Sequence, residues 1–144
     1  MKEWKESGDD VREMTPDREM AESLLKMIEI RSDALKLLDA KKHTSIIVDG
    51  YYEIIKEAIT ALMAVDGYKT TSHEVLIGYL KEFHDAFSDY EIRFIDEMRK
   101  IRNKINYKGF FVKEDYLRRN MLEIKNITSK LTAILKNRLR EKDQ

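Results

Sequence analysis

An all-α fold, an up-and-down antiparallel bundle of about five helices, is what this sequence predicts, and three observations predict it. Apolar residues recur at spacings of three and four rather than two, the helical period. One proline and five glycines interrupt 144 residues, so breakers are scarce. The capping and breaking residues that do occur divide the chain into long periodic segments with short connections, which makes successive helices antiparallel. A chain of this length buries a real core as one domain without disulfides or metal. The absence of cysteine removes disulfide frameworks, thiolate zinc sites and cysteine nucleophiles together.

Residues 1–14 form a polar arm whose only large apolar group is Trp4, flexible or loosely docked through that indole. The helical domain spans 15–140. Its first helix opens at Thr15-Pro16-Asp17, with Thr15 as cap and Pro16 at the first helical position, and buries Met20, Leu24, Met27, Ile28, Leu35 and Leu38. A second helix carries Ile46, Ile47, Tyr51, Ile54, Ile55, Ala58, Ile59, Leu62 and Met63, apolar over more than half its circumference, and therefore belongs in the middle. Gly50 inside it implies a backbone held close to another helix or subunit, and Gly67 ends it.

A third helix starts at Thr71-Ser72-His73-Glu74, capped by Thr71 or Ser72, with Leu76, Leu80, Phe83 and Phe87 inward. The fourth follows Ser88, takes Phe94, Met98, Ile101 and Ile105 as its core stripe and stops at Gly109. The fifth runs from about Lys113 through Leu117, Ile124, Ile127, Leu131 and Leu135, and residues 141–144 are a frayed tail.

Lys+Arg and Asp+Glu balance at 27 each, so no global field gathers nucleic acid or an anionic membrane, and any such binding needs a local patch. No run of about 18 apolar residues occurs, nor the apolar stretch of a signal peptide, so the expected protein is cytoplasmic and makes no membrane contact. The local patch that stands out is the end of the fourth helix, Glu97 to Gly109. At about 100° per residue, Ile95, Arg99, Arg102 and Asn106 form a second line a quarter turn from the core stripe, apolar at first and then basic. Guanidinium groups at the edge of a packed face can grip phosphate bidentately. The same charge order also suits the helix dipole, with Asp89 and Glu91 at the start and Arg99, Lys100, Arg102, Lys104 and Lys108 at the end. Asn103 and Asn106 fit a purely solvated face less well, because asparagine is a mediocre helix former.

Asp49-Gly-Tyr-Tyr-Glu53, Glu57 to Met63, Gly67, Thr71-Ser-His-Glu74 and Arg102-Asn-Lys-Ile-Asn-Tyr107 follow one another in an order that resembles the HEPN (higher eukaryotes and prokaryotes nucleotide-binding) domain, in its small archaeal and bacterial branch. The likeness extends from about Asp17 to Leu135. It implies a helical, usually dimeric protein that binds a nucleotide or RNA without a cofactor or metal. It also implies either a metal-independent endoribonuclease toxin or a partner for a nucleotidyltransferase in a toxin-antitoxin-type pair. The family's working motif is an arginine, often with a polar residue next to it, and a histidine four to six residues later. Arg102 and Asn103 match the first part, but Tyr107 stands where the histidine belongs, and no histidine follows His84. A phenol titrates near about 10 and accepts a proton poorly at neutral pH.

The expected protein is therefore a nucleotide- or RNA-binding homodimer, non-catalytic or weakly active. Arg99, Arg102, Asn103, Asn106, Lys108 and His73 form its binding set, and Arg102 with Tyr107 its catalytic pair if it cleaves. Residues five apart on a helix point about 140° away from each other, so this pair needs a loosened helix or two helix ends facing each other across a dimer. His73-Glu74-Val75-Leu76-Ile77 lacks the second histidine of a zinc-protease helix, and Gly67-Tyr-Lys-Thr-Thr71 lacks the glycines of a phosphate loop. Asp49 and Glu53 share a face and read as a solvated stripe.

Overall fold

The computed structural model describes residues 3–4 and 7–141. The expected frayed tail thus lies outside the described residues except for Glu141, as do four positions of the arm. Five α-helices occur among the described residues: α1 Arg18–Leu35, α2 Thr44–Asp66, α3 His73–Phe83, α4 Asp89–Lys108 and α5 Glu114–Arg140. One two-residue antiparallel ribbon joins them, with β1 Arg12–Glu13 paired to β2 Tyr68–Lys69. The fold is an all-α bundle, and none of its described helices is long and apolar enough to cross a membrane.

α2 is the central helix and packs against all four others. Almost every apolar side chain from Ile47 to Val65 is buried, because a helix apolar on most faces can be satisfied only by neighbours on most faces. Gly50 answers the question its sequence position raised: a Cβ there would stand 2.5 Å from Leu35 Cδ2, so the close neighbour is α1. Gly67, at φ 87°, closes α2 in the left-handed conformation, and its carbonyl accepts from Met14 N at 2.8 Å. That bond leads the arm along the α2 end, where Trp4 lies edge-on to Tyr68, Tyr79 and Phe83.

Several expected positions are corrected. Asp17, not Thr15, caps α1, accepting from Met20 N at 2.9 Å, so Pro16 lies before the helix rather than at its first position. Met20 and Met27 face solvent, and α1 buries Ala21, Ile28 and Leu35 instead. Ile46 and Phe83 are exposed, although the Phe83 ring meets Trp4 edge-on and lies tilted against Tyr79. Ser72 caps α3, and Ser88 with Glu91 forms a full capping box at α4.

The largest correction concerns the rotation of α4. Of the expected stripe Met98 alone is fully buried, with Ile92, Ile95 and Asp96, whereas Phe94, Ile101 and Ile105 are only partly covered. The helix is therefore turned so that the line of Ile95, Arg99 and Arg102, expected at the edge, faces the neighbouring helices. Hydropathy alone favours the isoleucine stripe, but α2 and α3 offer carboxylates to the arginines, and that pairing offsets the desolvation that would otherwise keep them outside.

Candidate functional site

A polar cluster fills the space where α2, α3 and α4 meet. Arg102 lies between two carboxylates of α2: Nε stands 3.6 Å from Asp49 Oδ1 and Nη2 stands 3.6 Å from Glu53 Oε1, with about a fifth of its side chain exposed. Asn106 donates to Asp49 Oδ1 at 2.9 Å and to the Arg102 carbonyl at 3.1 Å. Asn103 Oδ1 is 3.5 Å from Arg102 Nη1, a marginal hydrogen bond. Glu53 is also paired with Lys56 at 2.9 Å. One turn earlier on α4, Arg99 Nε donates to Asp96 Oδ1 at 2.9 Å, and its Nη1 lies 3.6 Å from Glu74 of α3.

Four acids (Asp49, Glu53, Glu74, Asp96) and four bases (Lys56, Arg99, Lys100, Arg102) thus share one cluster among the described residues. Burial raises the Asp96 carboxyl, but the hydrogen bond and charge of Arg99 outweigh it and hold the group below the usual carboxylate range.

Next to this cluster Tyr52, almost wholly buried, places its hydroxyl 3.0 Å from His73 Nδ1, the two rings stacked at 22°. Burial pushes the Tyr52 phenol well above its ordinary value, with Arg99 and Arg102 offsetting part of the rise. Burial, then the charges of Lys56 and Arg102, lower His73. His84 is also lowered by burial, and its Nε2 is enclosed without a hydrogen-bond partner.

The sign for stability follows from those directions. Unfolded histidine titrates near about 6.5, so below that value the unfolded chain binds more protons than the folded one. Stability is intact above that pH and falls as pH drops through the two folded-state values. Urea unfolding at pH 7.5 and 5.5 should show this loss, and His73→Gln combined with His84→Gln should flatten it.

The expected binding set divides into two groups. Arg99, Arg102, Asn103 and Asn106 are brought together, and His73 joins them through Tyr52. Tyr107 and Lys108 lie outside. α4 stays helical through Lys108, so Tyr107 points away from Arg102, and its ring is 76% exposed. Asp49 and Glu53, read from the sequence as a solvated stripe, instead flank Arg102, and the roles of Tyr52, Lys56 and Asp96 were not read from the sequence. The available signal was that Asp49 and Glu53 sit on the most apolar helix of the chain. A helix buried nearly all round has no solvated face, so its charged pair must meet partners.

Tyr107 belongs instead to the end of the bundle. The Val112 amide donates to Ser45 Oγ at 2.8 Å, which ties the α4–α5 connection to the start of α2. Gly109, at φ 63°, turns the chain there. Ile46, Tyr107, Phe110 and Phe111 are all exposed at this end, Phe111 by 85%. The segments at this end carry exposed lysines, Lys41 and Lys42 before α2, Lys104 and Lys108 on α4, and Lys113, together with the acids Asp39, Glu114 and Asp115. Lys104 Nζ lies 5.8 Å from the Phe110 ring centroid. Asp39 accepts from the Lys41 and Lys42 amides at 2.8 and 3.0 Å and so fixes the turn that presents those two lysines.

Among the described residues no three His, Asp or Glu side chains converge to hold a metal ion. No protein-family model, curated protein or solved structure matches the chain.

Proposed function

We propose that the protein is a HEPN-like nucleotide- or RNA-binding module that does not itself cleave RNA efficiently, and that single-stranded RNA is held at the α4–α5 end of the bundle. The observation that carries this reading is the interleaving of Tyr107, Phe110 and Phe111 with Lys104, Lys108, Lys41 and Lys42 on one exposed end. Single-stranded nucleic acid is held in this way elsewhere, bases stacked on aromatic rings and phosphates tracked by cations. Arg102 and Asn106 adjoin that end through α4 and make the second contact with the phosphate chain. Arg102 already has two carboxylates beside it, so its contribution is smaller than that of an open guanidinium.

Weak cleavage or none follows from the same arrangement. Tyr107 is turned away from Arg102, and His73 is engaged with Tyr52. The alternative is a metal-independent endoribonuclease in which Arg102 stabilises the phosphorane and Asp49 or Glu53, both within 3.6 Å of it, takes the proton. A homodimer and a nucleotidyltransferase partner in a toxin-antitoxin-type pair complete the reading, on the strength of the resemblance in Asp49 to Glu53 and Arg102 to Tyr107.

Incubation of purified protein with labelled RNA in the presence of chelator separates the two activities. Binding with no more than trace cleavage is the expected result. Robust cleavage that disappears in Arg102→Ala would establish the ribonuclease instead. Co-purification with a nucleotidyltransferase encoded beside this chain tests the partner.

A further inference from the structure

The outer face of α1 carries a second apolar line that the bundle does not use. Met20, Met27 and Ile30 are exposed, as are Ser23 and Ala34 between them, and Leu37 just past the helix end is 87% exposed. Their positions, 20, 23, 27, 30, 34 and 37, alternate by three and four. That is the heptad spacing of a helix that packs on another helix. The buried face, Ala21, Ile28 and Leu35, lies on the other side of the helix and is fully used against the core. α1 is thus apolar on two faces, with one partner inside the molecule.

We infer that the occupant of this face is α1 of a second copy of the chain, packed antiparallel across a two-fold axis between Met27 and Ile30. In that register Met20 meets Leu37 of the other copy, Ser23 meets Ala34 and Met27 meets Ile30. Large side chains oppose large ones, and the small layer lets the helices approach closely. Charge selects the direction. Lys26 and Asp33 flank the line, and in the antiparallel register Lys26 of each copy lies beside Asp33 of the other, giving two opposite-charge pairs. A parallel pairing gives Lys26 no acid across the seam, because it faces Arg31 of the other copy, itself paired with Glu57 at 2.8 Å. The seam is about 26 Å long at 1.5 Å per residue. It buries on the order of 1,000 Å2, the low end for specific interfaces, where transient contacts lie.

The alternative of two α4 ends meeting head-on sets Lys104, Lys108, Lys41 and Lys42 against their own copies and is disfavoured by charge. Pairing through α1 leaves those ends free and points them in opposite directions. The inference names an interface for the homodimer of the proposed reading but is argued from α1 alone, so RNA binding can fail without affecting it.

Sedimentation of the full chain from 5 to 500 μM should show a concentration-dependent dimer. Met27→Glu with Ile30→Glu should remain monomeric throughout, with its circular-dichroism melt unchanged because neither residue is in the core. A wild-type monomer at 500 μM, or a double variant that still dimerises, overturns the inference. The chain has no cysteine, so cross-linking reads the register directly. Oxidation of a mixture of Ser23→Cys and Ala34→Cys proteins should give the mixed disulfide dimer. Efficient self-linking of Ser23→Cys alone, or no mixed product, rules out the antiparallel register.

Discussion

Replacing Phe110 and Phe111 together by alanine lowers the affinity for a single-stranded RNA oligonucleotide by about tenfold or more, while the melting temperature stays within a few degrees of wild type. Each stacked base contributes roughly 1–3 kcal/mol, so loss of even one platform gives a change of this size. The fold is spared because both rings are exposed and the turn is held by the Val112–Ser45 hydrogen bond rather than by aromatic packing. Fluorescence anisotropy reads the affinity, and thermal melting reads the fold. A comparable loss from Arg102→Ala with little effect of the double alanine variant would move the site into the α2–α4 cluster.

The second large effect is on stability. Ile95→Ala should lower the unfolding free energy by about 2–4 kcal/mol, whereas Ile105→Ala lowers it by about 1 kcal/mol or less. Ile95 is wholly buried against α2 and its neighbours, so truncation leaves a cavity that close packing cannot refill. Ile105 is only partly covered. The comparison tests the rotation of α4 itself. If the two isoleucines exchange effects, then α4 presents its isoleucine stripe to the core, and Arg99 and Arg102 lie at the edge.

The number and order of the helices were legible because their signals are local. Proline, glycine and serine caps sit at segment ends, and apolar spacing follows the helical period within each segment. Ser88 with Glu91 and Gly109 defined α4 from its own residues. The facing of α4 was not legible, because it depends on which charges the neighbours bring. Asp49 and Glu53 are 49 or more residues away from Arg102 in sequence yet settle which side of that helix turns inward. Met20 and Met27 show the converse error. Apolar residues at core spacing faced out because Ala21 and Ile28, one position along, took the core, and hydropathy does not distinguish a core stripe from a docking stripe.

The candidate site was legible only in part. Arg102, Asn103 and Asn106 were found as an unusual run on one helix, and the structure groups them. Tyr107 was read against Arg102, yet it lies with Phe110 and Phe111 at the exposed end of the bundle. An exposed Phe-Phe pair looks like buried chain until the bundle end around it is seen.

Titration of the wild-type protein with a labelled single-stranded RNA of about 12 nucleotides, from 50 to 300 mM salt, tests the assignment of the basic aromatic end most directly. Saturable binding is expected, with log affinity falling linearly against log salt and with Lys104→Glu combined with Lys108→Glu reducing that slope. No binding at 50 mM salt with protein at 100 μM, or binding that ignores both salt and those lysines, would contradict it.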